Sequence, residues 1–246
     1  MPKRTLLVFH NNPDWTQYLV EAFEDTASIP EVARTGPEAL AFVRQKNPDV
    51  VFIGSELLTQ PLIAALKTCR SANGNFRCFR IGTGGSAPQA YPFDESFPEI
   101  PPLADFYKRL ALHLPLVGPL KLLVVDDEPE IGEVFRDYFD HRTNPVFTVQ
   151  LARDGVEGEE ALVKFLPDVL VLDIKMPRKD GRELYRELKA AGKLPPTIVF
   201  FDIVSADEVL EIRRYGNPAF VEKGSKASGM AEMAALIKKM VYFGGG

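Results

Sequence analysis

The sequence is poor in cysteine and has no long apolar run, and each shortage excludes a class of protein. Its 246 residues include two cysteines, Cys69 and Cys78, whose spacing fits no metal site and cannot supply a disulfide framework. The longest apolar stretches, such as TLLVFH and VLVLDI, have the length of a strand and are far too short to cross a membrane. The amino terminus also lacks the apolar core of a signal peptide. We therefore expect buried thiols without chemistry and a cytoplasmic protein with no membrane insertion.

Positive charge is not in excess either. Lys and Arg number 29 against 34 Asp and Glu, which gives a net charge of −5. This balance argues against a nucleic-acid surface spread over the whole molecule, so no direct nucleic-acid binding is expected. A 46% hydrophobic and 26% charged composition excludes a disordered or collagen-like chain. The length and the apolar content suffice for two domains.

Short apolar runs alternate with amphipathic segments from Lys121 onward, five times over. The strand candidates LLVV in KLLVVDD and VLVL in PDVLVLDI are uninterrupted rather than alternating, which is typical of parallel strands covered by helices on both faces. The pattern predicts an α/β domain, a doubly wound five-stranded parallel sheet, over residues 120–243.

The first part of the chain repeats this rhythm in a weaker form. LLVFHNNPD matches LLVVDDEPE, and NPDVVFIGSEL matches LPDVLVLDIKM, so a duplicated domain is expected over residues 1–116. Between Gly82 and Pro102 the glycines and prolines leave little room for a helix. The fourth helix of the first copy is therefore expected to be missing or reduced, and GTGGS is interpreted as a loop.

Carboxylates follow two strands of the second copy. Asp126 and Asp127 end its first strand, and Asp173 ends its third. In a doubly wound sheet these ends are neighbours, so the three carboxylates are expected to converge and to need a hard divalent cation such as Mg²⁺. Lys223, at the end of the fifth strand, can reach the same edge. A carboxylate, a metal and a lysine together predict a phosphoryl site.

These residues resemble a two-component response-regulator receiver domain. Asp126 and Asp127 match the acidic metal-binding pair of that family, Asp173 in DIKMPRKDG its phosphoaccepting aspartate, and Lys223 its lysine. Met176, Pro177, Asp180 and Gly181 complete the family's loop. The resemblance also implies the Lys175 backbone carbonyl as a metal ligand. It implies two flavodoxin-like receiver domains in tandem.

The switch residues implied by the resemblance depart from the family pattern. Phe220 takes the place of the switch aromatic, but without a gap in the alignment the switch hydroxyl falls on Phe201. A phenyl ring cannot donate the hydrogen bond of a Ser or Thr hydroxyl. An alignment slipped by four residues would use Ser205 instead.

The first copy keeps none of the acidic site residues. His10 and Asn11 replace the acidic pair, and Gly54 replaces the phosphoacceptor. Glu56 is expected to be a solvated carboxylate, and no lysine stands in SFPEIPP, where the counterpart of Lys223 is expected. We interpret this copy as a degenerate pseudo-receiver that serves docking or dimerisation.

The leading hypothesis is a phosphorelay signalling protein. The resemblance implies a sensor histidine kinase or a histidine phosphotransfer protein as phosphodonor, with Mg²⁺ as cofactor. We expect no enzymatic activity beyond self-phosphorylation from a donor and autodephosphorylation. Because the chain ends at VYFGGG, output is expected through protein contact, with a homodimer among the arrangements considered. Two alternatives stay open: a phosphorylation-independent scaffold, and an Mg²⁺-dependent phosphohydrolase that forms an aspartyl-phosphate.

Overall fold

The computed structural model describes residues 3–83, 91–225 and 228–244. The chain divides into two compact units, one ending at Pro115 and the other beginning at Leu116. Most of the predicted GTGGS loop lies outside the described residues. None of the helices within the described ranges combines the length and the apolar character that a membrane crossing requires.

The first unit is an all-parallel sheet in the strand order β2-β1-β3-β4-β5 with helices around it. Its elements are β1 (Leu6–Phe9), α1 (Pro13–Ala22), β2 (Glu31–Ala33), α2 (Gly36–Lys46), β3 (Val50–Gly54), a 3₁₀ turn (Ser55–Leu57), α3 (Gln60–Ala72), β4 (Arg77–Ile81), β5 (Glu95–Phe97) and α4 (Leu103–Ala111). One face of the sheet packs on α2 and α3 through aliphatic residues. The other face carries an aromatic cluster in which Phe106 of α4 contacts Phe52 and Phe97.

The second unit repeats this topology, with the order β7-β6-β8-β9-β10. Its elements are β6 (Leu120–Val125), α5 (Pro129–Phe139), β7 (Phe147–Ala152), α6 (Gly155–Phe165), β8 (Val169–Leu172), α7 (Gly181–Ala190), β9 (Thr197–Phe201), α8 (Ala206–Arg213), β10 (Ala219–Glu222) and α9 (Met230–Phe243). Both units therefore have the predicted flavodoxin-like architecture.

Both faces of the second sheet are buried, which explains its uninterrupted apolar strands. Leu122 and Val124 of β6 point to the core formed with α5 and α9. Leu123 and Val125 point to the opposite core, formed with α6, α7 and α8. Because successive side chains of a strand alternate between faces, a strand covered on both sides must be apolar throughout.

A salt bridge ties the segment before β5 to helix α3 in the first unit. In the described residues between β4 and β5 there is no helix. Arg70 of α3 binds Asp94 there, with Nη2 2.6 Å from Oδ2. The same Asp94 oxygen accepts a hydrogen bond from the Cys78 backbone at 2.7 Å. The segment that leads into β5 is thus tied to α3 and β4 by one carboxylate.

Candidate functional site

Three aspartates converge at the carboxyl edge of the second sheet. Asp126 and Asp127 follow β6 and Asp173 follows β8, and β6 and β8 are neighbouring parallel strands. One oxygen of each carboxylate lies within 4.8 Å of the others. Asp126 and Asp173 are buried and Asp127 is exposed, so the cluster opens to solvent on the Asp127 side.

Lys223 brings a positive charge into this cluster. Its Nζ lies 3.1 Å from Oδ2 of Asp126 and 3.1 Å from Oδ2 of Asp173. A third contact, 2.6 Å to Oε1 of Glu128, is the shortest of the three. Burial lowers the pKa of Lys223, but the Glu128 and Asp126 carboxylates outweigh it and hold the pKa above its ordinary value. The lysine therefore stays charged.

Burial dominates the electrostatics of the two inner aspartates. It raises the pKa of Asp126 to about 6, although the Glu128 backbone N–H and Lys223 oppose the rise. Burial also raises the pKa of Asp173, again against the attraction of Lys223. The site thus holds its carboxylates in an environment where their charged forms are disfavoured.

The donor set fits a divalent cation. Oδ2 of Asp126 is buried and has no hydrogen-bond partner of good geometry, although the Lys223 ammonium is near. Carboxylate oxygens are the ligands that Mg²⁺ takes in proteins. The cluster offers an unpartnered buried oxygen of Asp126, the buried carboxylate of Asp173 and the exposed carboxylate of Asp127. These oxygens could serve as ligands of one divalent cation.

The loop after β8 is shaped by two of its residues. The Asp180 side chain begins α7 by accepting a hydrogen bond from the Glu183 backbone at 2.9 Å. A side-chain carbon at Gly181 would overlap the backbone carbonyl of Asp173, so glycine is needed for this close approach. These contacts account for the D-G pair, Asp180 and Gly181, that follows Asp173.

The other residues predicted for the site make fewer contacts with the three aspartates. The Lys175 backbone N–H lies 3.3 Å from Oδ1 of Asp173, whereas its ammonium lies 4.0 Å from Glu208. The Phe201 and Phe220 rings are in edge contact, with centroids 6.4 Å apart. Ser205 caps α8 in a reciprocal hydrogen-bonded arrangement with Glu208. The roles of the Lys175 carbonyl, Phe201 and Phe220 stay predictions.

Glu128 is a site residue that the sequence analysis did not single out. It begins α5 as the residue before Pro129, and its backbone N–H donates to Asp126 at 3.0 Å. The available signal was a third consecutive acid after the Asp126–Asp127 pair. That signal gave no reason to prefer the lysine over solvent as its partner.

Strand register extends the comparison of the two units. Gly54 pairs with Ile81, and Ile81 pairs with Phe97. In the second unit, Leu172 pairs with Val199 and Phe200 pairs with Val221, so Asp173 lies level with Val221. Counting two residues beyond Phe97 and beyond Val221 gives Glu99 as the counterpart of Lys223. The counterpart of the lysine is thus an acid.

The Glu56 carboxylate of the first unit lies beside Gly54, the counterpart of Asp173. The space beside Gly54 is filled by the Glu56 carboxylate, which lies 3.7 Å from Nε2 of His10. Nδ1 of His10 accepts from the Asn12 backbone at 3.0 Å, so the ring proton is on Nε2, facing Glu56. Glu56 is exposed, as expected of a solvated carboxylate, and its carboxylate can lie beside Gly54 because Gly54 has no side chain to exclude it.

Comparison with known proteins agrees with the geometry of the second unit. Residues 122–235 match the family described as the response regulator receiver domain. The second unit is a response regulator receiver domain. The chain is 39% identical over 92 residues to the response regulator MprA of Mycobacterium ulcerans (strain Agy99), a match that covers 37% of each chain. It is 37% identical over 93 residues to MprA of Mycobacterium sp. (strain KMS), covering 38% of each. The chain thus spans little more than a third of these curated relatives.

Two solved structures align with about half of the chain. The CheY-like receiver domain protein of Methanospirillum hungatei JF-1 aligns with a TM-score of 0.45 and 18% identity, over 50% of this chain and 97% of that one. The response regulator domain of Thermotoga maritima CheB aligns with a TM-score of 0.43 and 25% identity, over 51% of this chain and 97% of that one.

Proposed function

We propose that the receiver domain accepts a phosphoryl group on Asp173 and signals through protein contact. The observation that carries this proposal is the convergence of three carboxylates within 4.8 Å with one ammonium among them. The arrangement supports group transfer because Asp173 offers a nucleophilic oxygen at a site that already contains a cation. The receiver-domain match supports signalling over hydrolysis.

Each residue has a distinct part in the proposed transfer. An oxygen of Asp173 attacks the donor's phosphorus, and the bond from phosphorus to the donor breaks. Lys223 is held beside Asp173 and neutralises charge on the transferred oxygens. Asp127, helped by Asp126 and by the Lys175 backbone carbonyl, would hold Mg²⁺. A bound Mg²⁺ would supply further positive charge to those oxygens.

The phosphodonor is proposed to be a sensor histidine kinase or a histidine phosphotransfer protein, since these are the partners of the family. In the first unit, His10, Asn11, Gly54 and Glu99 replace the acidic pair, the acceptor and the lysine. We propose that this unit is a pseudo-receiver that docks a protein or a second protomer.

Acyl-phosphate formation with a small phosphodonor tests the proposal. The wild type should become labelled when Mg²⁺ is present, and the label should be released by hydroxylamine. Asp173→Asn should abolish the label, and Asp127→Ala should reduce it by raising the Mg²⁺ requirement. Asp137→Asn, which removes the same charge from an exposed position of α5, is the matched control. Undiminished labelling of Asp173→Asn would overturn the assignment.

A phosphorylation-independent scaffold is the second candidate. It is favoured by Phe201, which stands where a hydroxyl would sense the phosphoryl group and instead packs against Phe220. Under this hypothesis, partner binding would be the same for the wild type, phosphorylated or not, and for Asp173→Asn. A change of affinity on phosphorylation that is lost in Asp173→Asn would exclude it.

A further inference from the structure

An apolar groove lies between two helices of the receiver domain, away from its acidic cluster. α6 and α7 contact each other and leave a groove of about 350 Å³ between them. Its apolar lining is Leu162, Val163, Leu166, Leu184, Leu188 and Ala191. Val163 is 63% exposed and Leu166 is 71% exposed. Two large aliphatic side chains thus stand in solvent at one groove.

Leu166 is held in a conformation that leucine disfavours. It ends α6 with a φ of 52°, in the left-handed region. This backbone is unfavourable for a residue with a Cβ, because the Cβ approaches the following carbonyl oxygen. The same residue exposes an apolar surface, so neither local backbone preference nor burial explains leucine at this position.

The first unit builds the same turn without apolar residues. Its helix α2 ends at Asn47, also left-handed with a φ of 46°, in the matching sequence N-P-D against L-P-D. Asparagine tolerates this conformation far better than leucine does. The counterpart of Val163 is Arg44, and both Arg44 and Asn47 are exposed. The fold therefore does not require the apolar pair of the second unit.

The lining of the groove carries charges of both signs. Glu159 and Glu187 share the ammonium of Lys179, at 2.8 and 2.6 Å, which leaves one negative charge in excess. Lys193 follows α7, lines the same groove and is exposed. Within the described ranges, no ion pair to Lys193 is found. The apolar residues thus share the groove with an acidic pair and a lysine.

We propose that this groove binds the same groove of a second copy of the chain about a two-fold axis. Rotation by 180° places Val163 and Leu166 of both copies together at the centre. It also brings each copy's Lys193 onto the other copy's acidic pair of Glu159 and Glu187. A surface that carries both an acidic and a basic group can be complementary to itself, so a second copy satisfies it without a further partner. The inference is independent of phosphorylation.

The oligomeric state of the full chain tests this proposal, measured by sedimentation velocity over a range of concentrations. The wild type and Asp173→Asn should both show a monomer–dimer equilibrium. The double substitution Val163→Arg and Leu166→Asn, which installs the residues of the first unit, should weaken dimerisation at least tenfold. Leu166→Asn also replaces a left-handed leucine by a residue that tolerates this backbone. At a concentration where both proteins are monomeric, the thermal midpoint should therefore not fall, and loss of the dimer at higher concentration cannot be attributed to unfolding.

Charge reversal separates the pairing geometry from a general apolar effect. Lys193→Glu should weaken the dimer at least tenfold, and the double variant Glu187→Lys with Lys193→Glu should regain most of that loss. A protein that stays monomeric at every accessible concentration overturns the proposal. So does a dimer that is unaffected by the Val163 and Leu166 substitutions, or a double charge variant as weak as Lys193→Glu alone.

Discussion

The Glu56 carboxylate occupies the space into which a side chain at Gly54 would project. The carboxylate comes from the 3₁₀ turn two residues further on and lies 3.7 Å from the His10 ring. The acceptor position of the first unit is therefore closed by the unit's own chain. A side chain introduced at Gly54 would have to displace the Glu56 carboxylate.

Gly54→Asp should not turn the first unit into a phosphoacceptor. His10 and Asn11 provide no acidic pair, and Glu99 stands where the lysine would be, so the new carboxylate would have neither a metal site nor a cation. Labelling with a small phosphodonor should be measured in the Asp173→Asn background. The double variant should be as unlabelled as Asp173→Asn alone, and any hydroxylamine-labile label would contradict the pseudo-receiver interpretation.

Asp126→Asn should stabilise the receiver domain while removing its response to Mg²⁺. Burial raises the pKa of Asp126 to about 6, which means that the ionised form is disfavoured in the folded state. A neutral side chain of the same shape should add about 1 kcal/mol to the free energy of unfolding at neutral pH.

Thermal unfolding with and without Mg²⁺ measures both effects. At a hundredfold excess over its Kd, Mg²⁺ should stabilise the wild type by about 2.7 kcal/mol, and Asp126→Asn by much less. Asp137→Asn should respond to Mg²⁺ like the wild type. A destabilised Asp126→Asn would mean that its contact with Lys223 outweighs the cost of burial.

The convergence of the aspartates could be predicted from sequence, because their positions depend on strand order alone. Residues at the carboxyl ends of neighbouring parallel strands lie at the same edge of the sheet, so their carboxylates are within reach of one another. The contacts of Glu128 and Glu56 could not be predicted in this way. Glu128 turns toward Lys223 and Glu56 turns into the space beside Gly54. Each flexible side chain could instead be solvated, so the sequence does not decide its position. Glu99 could be matched to Lys223 only from the strand register. The sequence signal for β5 is weak because that strand has three residues.

Phe201→Thr should increase the conformational response to phosphorylation. In the wild type the Phe201 ring packs against the Phe220 ring. The Arg213 guanidinium lies over the Phe220 ring, 5.3 Å from its centroid. A phenyl ring donates no hydrogen bond to a phosphoryl oxygen. We therefore expect a small change around Phe220 and α8 in the phosphorylated wild type, and a larger one in Phe201→Thr.

Hydrogen exchange of α8 with and without phosphodonor measures this response. Phe201→Leu, which removes the ring but adds no hydroxyl, is the matched control and should stay close to the wild type. An unchanged response in Phe201→Thr, or a full rearrangement in the wild type, would assign the sensing role to another donor.

Glu95→Gln should flatten the acid side of the first unit's stability profile. Burial raises the pKa of Glu95, but hydrogen bonds from Arg109 at 2.8 Å and His113 at 3.0 Å outweigh it, and the net pKa lies below its ordinary 4.5. A lowered carboxyl pKa gives stability that is full above 4.5 and is lost as the pH falls through the folded-state value. The variant should lose about 1 kcal/mol at neutral pH and show a shallower decline below pH 4.5.

The chain's single tryptophan makes these measurements separable. Trp15 belongs to α1, is 3% exposed, and has its ring centroid 6.3 Å from that of His10. Indole emission therefore reports the first unit, whereas the receiver domain is dark at those wavelengths. Tryptophan fluorescence therefore follows the unfolding of the first unit, whereas circular dichroism follows the unfolding of both units. Trp15 thus serves as an intrinsic fluorescent probe of one copy of the duplicated domain. A difference in stability between the two copies can be measured without attaching a dye.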